Sequence, residues 1–270
     1  METEGIMARS HMMFINRALP VLKKDDRIVG VALGGSYAKG TLDEYSGLGF
    51  IIAADPGRYG NLLEDSVNLA GRLGWLLACF PAEHIQKPEQ LICLYKEPLL
   101  HVDLSFQSLD KISYRQEDPV IVYEKGGLMS GEYAKRPANI PQPDIQWYED
   151  RFWIWVHYIA NRIGRGELFD AIEGLSFLRQ RVLGPMILIR NGKPPRGVRN
   201  VEAAGPDELQ RLIATLAEHD ARSCLRGLKS ATDLYIFLRG SNKAKLTNRE
   251  EAQWRALQYL DSISEKIMAG

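Results

Sequence analysis

The chain has 270 residues, enough for one large or two modest domains with buried cores. Lysine plus arginine equals aspartate plus glutamate at 34 each, so the overall charge does not favour nucleic acid or an anionic membrane as a partner. Three widely spaced cysteines without a CxxC pair predict reduced thiols in a cytoplasmic protein, not disulfides or zinc. No apolar run approaches the ~20 residues of a membrane span. The N-terminus lacks an apolar signal core, so we expect no secretion.

Residues 12–133 alternate helical and strand patterns, which predicts a domain with a small mixed sheet. The residues before them include "ARSHM", which is typical of a cloning remnant. We therefore expect a natural start at Met12 or Met13 and no part in the fold for residues 1–11. The predicted elements, in chain order, are a helix over Phe14–Lys23, strands over Arg27–Leu33 and Leu48–Ala54, a helix over Asn61–Leu77, and strands over Leu91–Tyr95, Leu100–Phe106 and Val120–Tyr123.

Residues 134–146 hold three prolines and show little periodicity, which predicts a linker. Residues 147–270 show only helical periods. The predicted helices are Trp147–Ile163, Glu167–Arg190, Pro206–His219, Ala221–Arg239 and Asn248–Met268. The predicted fold class is therefore α+β, with a mixed-sheet domain followed by an all-helical bundle.

A Gly-Gly-Ser turn directly follows the first predicted strand. Gly34 and Gly35 would let the backbone approach a ligand closely, with amide hydrogens directed at an anion. Ser36 adds a hydroxyl, and Lys39 is close enough in sequence to reach a phosphate. The spacing matches neither a Walker loop nor GxGxxG. Taken alone, the three residues are more typical of a plain tight turn, so the interpretation depends on the longer stretch around them.

The longer stretch, "VALGGSYAKGTLDEYSGLGFII" at 31–52, resembles the nucleotidyltransferase superfamily with the polymerase-beta-like fold. That superfamily includes the aminoglycoside and lincosamide adenylyltransferases, which the stretch also resembles. The signature of that family is Gly-Ser, ten residues, and then Asp-x-Asp on the next strand. Here Gly35-Ser36 is followed by residues 37–46 and then by Gly47-Leu48-Gly49. The resemblance covers roughly residues 27–125 and includes Asp103 in "LLHVDLSF", where the family has its third acidic residue.

The resemblance implies magnesium-dependent transfer of AMP from ATP to a hydroxyl of a small molecule such as an aminoglycoside or a lincosamide. It also implies that Asp103 is the third metal ligand or the base for the acceptor hydroxyl. Such chemistry uses two divalent ions held by carboxylates, and alternate residues of a strand share a face. Gly47 and Gly49 share that face and offer no ligand. Since one carboxylate cannot hold two ions, we expect an impaired enzyme that retains nucleotide contacts at Gly34, Gly35, Ser36 and Lys39.

Several alternatives remain open. Asp43 and Glu44 would replace the missing pair only if their loop folded back across the sheet. The two glycines would also suit a β-bulge or a bulky ligand, and His84 and His101 would suit a metal site with Asp103. In related antibiotic-modifying enzymes an acid of the helical domain serves as the base, although ordinary solvated charges account equally well for each acid here. The helical candidates are Glu149, Asp150, Glu167, Asp170 and Glu173.

Three functional hypotheses follow. The first is an adenylyltransferase-like enzyme that uses ATP and magnesium, with an impaired site. The second is a non-catalytic nucleotide-binding or regulatory protein on the same fold. The third is an interaction module, such as an inactive partner in a toxin–antitoxin pair. Under the first, the expected partners are a nucleotide and a small hydroxylated acceptor, and neither nucleic acid nor a membrane.

Overall fold

The computed structural model describes residues 2–240 and 246–269, without the side chains at 2–9, 204 and 207. The chain divides into two compact units, Met1–Pro141 and Gln142–Gly270. The division lies inside the segment 134–146. Within the described residues the first unit contains all of the strands and the second contains only helices. The fold is therefore α+β, with a mixed sheet followed by a helical region, as the sequence predicted.

The first unit is built from six strands and five α-helices among its described residues. The strands are β1 (Ile28–Gly34), β2 (Leu48–Ala54), β3 (Trp75–Ala82), β4 (Lys87–Lys96), β5 (Leu100–Ser108) and β6 (Val120–Glu124). The helices are α1 (Glu2–Lys24), α2 (Gly35–Ala38), α3 (Tyr59–Glu64), α4 (Ser66–Leu73) and α5 (Leu128–Ala134). All five predicted strands are present at or close to their predicted positions.

The six strands form one sheet in the order β3-β4-β5-β2-β1-β6. Neighbouring strands are antiparallel except β2 and β5, which run parallel and occupy the centre of the sheet. Two antiparallel neighbours can be joined by a short hairpin, whereas a parallel pair needs a long crossover. Here the crossover contains α3, α4, β3 and β4.

One face of the sheet carries the main core of this unit. Phe14 and Leu22 of α1 and Leu73 of α4 are completely buried together with Phe50 and Ile52 of β2. Residues on alternate positions of the same strands point to the other face. There a smaller core forms around Met129 of α5 and Ile112, packed against the β1 and β6 side of the sheet. The opposite face is thus covered mainly beside β1 and β6.

The first helix is longer than predicted. It runs from Glu2 to Lys24 instead of Phe14–Lys23, and it includes Pro20. His11 is only 3% exposed, and its Nε2 lies 2.7 Å from the carbonyl oxygen of Ser46. The expectation that residues 1–11 take no part in the fold is therefore wrong, because His11 fixes the end of the loop that leads into β2.

The predicted helix over Asn61–Leu77 is also wrong. The segment forms α3 and α4, and the chain then continues at Trp75 as the edge strand β3. The Arg17 guanidinium donates to the carbonyl of Leu73 at 3.1 Å and satisfies a group that a longer helix would bond internally. A Cβ at Gly74 would lie 2.6 Å from Arg17 Nη2, so Arg17 occupies the space that a side chain would need.

The second unit is helical throughout its described residues. Its helices are α6 (Ile145–Gly164), α7 (Leu168–Leu178), α8 (Gly184–Arg190), α9 (Val201–Ala204), α10 (Pro206–Ile213), α11 (Ala221–Gly240) and α12 (Glu250–Ala269). The predicted helix Pro206–His219 ends early at Ile213, since the carbonyl of Thr215 accepts a hydrogen bond from the Arg179 guanidinium at 2.8 Å. No described helix of the protein is long and apolar enough to cross a membrane.

The predicted helix Glu167–Arg190 is interrupted by a π-helical turn over Arg179–Leu183. Within the turn, the Gly184 N–H donates to the carbonyl of Arg179, five residues back. Pro185 has no N–H to offer the carbonyl of Arg181, and its ring would clash with that carbonyl in a regular α-helix. The wider turn removes the clash and changes the direction of the side chains it carries.

A fully buried carboxylate lies at the centre of the helical unit. Glu149 accepts hydrogen bonds from Trp153 Nε1 at 3.2 Å, the Tyr235 hydroxyl at 2.7 Å, Arg239 Nη1 at 2.8 Å and the backbone N–H of Arg249 at 2.9 Å. Burial alone would raise the pKa of Glu149, but these donors stabilise the charged form and hold the pKa below its usual value. The cluster joins α6, α11 and the start of α12.

We expect Glu149→Ala to lower the free energy of unfolding of the helical unit by about 3 kcal/mol at neutral pH, because Arg239 would keep a buried charge without its partner. Folding lowers the pKa of Glu149. The stability that the charged carboxylate contributes is therefore complete above its pKa in the unfolded chain, about 4.3, and is lost as the pH falls through its lower pKa in the folded protein. Urea unfolding followed by tryptophan fluorescence would measure both effects.

The exposed Glu265, also in this unit, provides the control through Glu265→Ala. Equal destabilisation by the two substitutions would contradict the role assigned to Glu149. Glu149→Ala should lower the free energy of unfolding less in acid than at neutral pH. If its effect relative to Glu265→Ala stays the same in acid, the direction of the Glu149 pKa shift is contradicted.

Candidate functional site

Three residues predicted from the sequence lie side by side across the centre of the sheet. In the antiparallel β1–β2 pair Gly34 lies opposite Gly49, and in the parallel β2–β5 pair Gly49 lies beside Asp103. Neighbouring strands are about 4.8 Å apart. The end of β1, the second of the two glycines and the predicted acidic residue therefore form one short row, on the face opposite the main core.

The Gly-Gly-Ser turn begins at one end of this row. Gly35 has φ +63°, a conformation that L side chains adopt rarely, so glycine is the residue that suits this position. The short helix α2 begins at this residue, and the carbonyl of Ser36 accepts a hydrogen bond from the Thr41 N–H at 2.9 Å. The Ser36 side chain is half-buried, and its hydroxyl has no hydrogen-bond partner in the described part of the chain. The turn thus presents a free hydroxyl beside exposed backbone.

The loop between α2 and β2 holds its own charged groups. Lys39, predicted to reach a phosphate, pairs with Glu117 at 3.1 Å, so it would have to leave Glu117 to contact a ligand. Asp43 accepts hydrogen bonds from the Ser46 hydroxyl at 2.7 Å and from the Tyr45 N–H at 3.1 Å. The Ser46 hydroxyl holds the pKa of Asp43 below its usual value. Asp43 is therefore engaged within its loop, the neighbouring Glu44 is exposed, and neither replaces the missing pair.

The two glycines at the position of the missing pair differ in the space around them. A Cβ built on Gly49 would meet nothing within 4 Å. A Cβ on Gly47, just before β2, would lie 3.0 Å from the carbonyl oxygen of His101 and 3.4 Å from its ring. The sheet therefore has room for a side chain at position 49, whereas at position 47 the backbone of β5 lies close.

Asp103 lies on the polar face of β5, as predicted. Its neighbours Val102 and Leu104 are fully buried, while His101, Asp103 and Ser105 face the open side. His101 Nε2 lies 3.0 Å from Asp103 Oδ1, and the two side chains are 56% and 38% exposed. The pair is accessible to a ligand from the open side.

A metal site built from His84, His101 and Asp103 is not formed. No group of three His, Cys, Asp or Glu side chains among residues whose positions are described is arranged to hold a metal ion. His84 instead packs its ring against Phe80 in the turn after β3, with ring centroids 5.8 Å apart. The row of residues offers a single carboxylate, which its histidine neighbour already binds.

The acidic candidates of the helical unit are mostly engaged in structural contacts. Glu149 is fully buried in the cluster described above. Asp150 pairs with Arg249 at 2.7 Å, and Asp170 pairs with Arg162 at 3.1 Å. Glu167 also pairs with Arg162, while Glu173 is exposed.

Sequence reasoning missed Glu117 and His11, which position the loop around the site. Their partners lie far along the chain, so no local pattern indicates them.

Comparisons with known proteins give similarity at the level of structure. No protein-family model matches the chain, and no curated protein matches it. An aminoglycoside 6-adenyltransferase from Bacillus subtilis is similar at 14% identity and a TM-score of 0.35, with 96% of each chain covered. A nucleotidyltransferase-like protein from Exiguobacterium sibiricum is similar at 12% identity and a TM-score of 0.37, with 93% of this chain and 78% of the other covered.

At such low identities and TM-scores, these similarities assign no activity or ligand to this chain. The residues of the site carry the functional argument.

We expect Gly49→Asp to cost less than about 1 kcal/mol of stability, because its side chain enters open space. Gly47→Asp should cost more, since the His101 carbonyl must move by a few tenths of an ångström. The double substitution places two carboxylates beside Asp103 and should create affinity for magnesium. Thermal unfolding with millimolar magnesium or with a chelator would show a magnesium-dependent rise in Tm for the double variant.

Gly71→Asp adds a carboxylate on α4, where a Cβ also meets nothing within 4 Å, and it serves as the matched control. If magnesium raises the Tm of the unsubstituted protein or of this control as much as that of the double variant, the assignment of positions 47 and 49 fails.

Proposed function

We propose that this protein is a nucleotidyltransferase-like protein that binds a nucleoside triphosphate beside the Gly34–Ser36 turn and transfers AMP to a hydroxyl slowly or not at all. The single observation that supports this function is the row formed by Gly34, Gly49 and Asp103 across three neighbouring strands. A glycine turn and an acidic residue from a later strand, predicted separately along the sequence, meet on one open face.

The turn has features that suit a phosphate. Gly35 has no side chain to keep a ligand away from the backbone, and the Ser36 hydroxyl is free to donate. Lys39 adds a positive charge once it leaves Glu117, and its side chain is 54% exposed. A triphosphate would offer Lys39 more negative charge than the single carboxylate of Glu117.

The residues present do not fit the two magnesium ions used by enzymes of this type. Magnesium requires near-octahedral oxygen coordination and is usually held by carboxylates together with substrate phosphates. Positions 47 and 49 supply no oxygen ligand from a side chain, and the described residues offer no alternative cluster. Asp103 alone, bonded to His101, is too small a donor set for a two-ion site. We therefore derive no transfer step through magnesium for this chain.

This donor set favours a nucleotide-binding or regulatory role as the second candidate function. Without a cation between them, Asp103 and a triphosphate repel each other. At about 4 Å, two charges interact by about 1 kcal/mol in water and by more where the site is less exposed. Asp103 would then oppose binding, whereas in an enzyme with bound magnesium it would support binding. Whether the Asp103 carboxylate weakens or strengthens nucleotide binding therefore distinguishes the two roles.

We expect isothermal titration calorimetry to show ATP binding that changes little between magnesium and a chelator. Asp103→Asn should tighten binding about threefold, since it removes the repulsive charge. Ser36→Ala should weaken it about threefold, since it removes one hydrogen bond. Ser230→Ala, in α11 of the other unit, is the matched control and should change nothing.

Weaker ATP binding by Asp103→Asn in magnesium would show that Asp103 holds a cation after all. Undetectable ATP binding by the unsubstituted protein would leave the interaction module as the remaining hypothesis.

We expect turnover only after the missing pair is restored. The unsubstituted protein and Gly47→Asp/Gly49→Asp would be incubated with ATP, magnesium and a panel of aminoglycosides and lincosamides, and pyrophosphate release would be followed. A gain of tenfold or more in the variant would correspond to at least about 1.4 kcal/mol of barrier. Equal release by both proteins would mean that the acidic pair is not what limits transfer.

A further inference from the structure

A cavity lies wholly within the helical unit and takes no part in the site on the sheet. Its volume is about 550 Å³, within the range of small-molecule sites. It is formed by the segment that begins α6 together with the end of α7 and the π-helical turn. Its lining residues are Pro143, Asp144, Trp147, Tyr148, Phe177 and Arg181.

The cavity has an aromatic wall that is held in place by its neighbours. Trp155 packs between Trp147 and Phe177, with ring centroids 5.6 Å and 5.0 Å away. Arg151 covers the ring of Trp147 at 4.2 Å. Trp147 and Phe177 nevertheless remain 42% and 40% exposed. Large aromatic surfaces that are ordered but exposed can stack against a planar ligand with little loss of side-chain freedom.

Tyr148 lines the same cavity and carries a polar group without a partner. The residue is only 6% exposed, yet its hydroxyl makes no hydrogen bond to any described residue. The hydroxyl oxygen itself is not fully enclosed, so it is open to the cavity and accessible to a ligand. Burial raises the pKa of Tyr148 to about 12, and the hydroxyl therefore keeps its proton at neutral pH and can donate it in a hydrogen bond.

Arg181 is exposed and supplies a positive charge at the cavity. It lies in the π-helical turn that Pro185 imposes, and its guanidinium has no carboxylate partner in the described residues. Asp144, the acidic residue of the lining, uses Oδ1 to cap α6 by accepting from the Gln146 N–H at 2.9 Å. A guanidinium presents paired donors that match a carboxylate or a phosphate.

We propose that this cavity is a binding site for a small planar aromatic molecule that carries a carboxylate or a phosphate group. The ring stacks against Trp147 and Phe177, the anionic group pairs with Arg181, and the Tyr148 hydroxyl donates a hydrogen bond to the ligand. A polycationic ligand is a poor match, since Arg181 would repel it. The proposal is independent of nucleotide binding at the sheet.

Isothermal titration calorimetry with three naphthalene probes tests this site. The probes are 2-naphthoate, 2-naphthyl phosphate and the uncharged 2-naphthalenemethanol, and cyclohexanecarboxylate serves as an anion without an aromatic ring. We expect both naphthalene anions to bind saturably and at least about tenfold more tightly than the uncharged probe and the non-aromatic anion. Tighter binding of the naphthoate would identify a carboxylate ligand, and tighter binding of the phosphate a phosphate ligand.

Two substitutions locate the binding. Arg181→Gln should weaken both anions about tenfold and leave the uncharged probe unchanged. Tyr148→Phe should weaken the anions about threefold, since it removes only the hydroxyl. Arg226→Gln changes an exposed arginine of α11 in the same unit and should have no effect.

Equal binding of charged and uncharged probes, unchanged binding by Arg181→Gln, or no saturable binding would each overturn the proposal. The comparison between probes uses the unsubstituted protein, so it decides the question even if a variant does not fold.

Discussion

The parallel pairing of β2 with β5 determines what the open face of the sheet can do. Its register is fixed from the opposite face, where Leu48, Phe50, Val102 and Leu104 are buried in the main core. A shift of one residue would turn Asp103 into that core and bring apolar side chains to the surface. The same register places Gly49 beside Asp103, so the packing of the core decides which groups share the site.

The two glycines in place of the acidic pair have different structural meanings. Glycine in a strand costs roughly 0.5–1 kcal/mol relative to alanine, and at position 49 no close neighbour requires it. At position 47 the His101 carbonyl approaches closely, and the His101 ring binds Asp103. The surroundings of Gly47 therefore leave little room for a side chain, whereas those of Gly49 leave enough.

The sequence predicted the parts of the site that depend on local patterns. The alternation around Asp103, with Val102 and Leu104 buried, was sufficient to place that side chain on the polar face. The apolar run of β2 predicted both of its ends, and that of β1 predicted each end to within one residue. The apolar stretch that begins at Trp75 fits a helical period as well as a strand, so the edge strand β3 was missed.

Contacts between distant parts of the chain could not be predicted from local patterns. Three contacts of this unit join residues more than thirty positions apart. They are the contacts of Arg17 with Gly74, Lys39 with Glu117 and His11 with Ser46. A single sequence contains no signal for such contacts, because they arise only when the sheet and its helices assemble.

Two adjacent residues of α6 show how the helical unit treats buried polar groups. Glu149 receives four hydrogen bonds from two other segments and its own helix, which offsets the cost of burying its charge. Tyr148, one position earlier and almost as deeply buried, receives none from the described residues. At the cavity, the accessible hydroxyl of Tyr148 and the exposed guanidinium of Arg181 are both available to a ligand, and one anionic group can bind both at once.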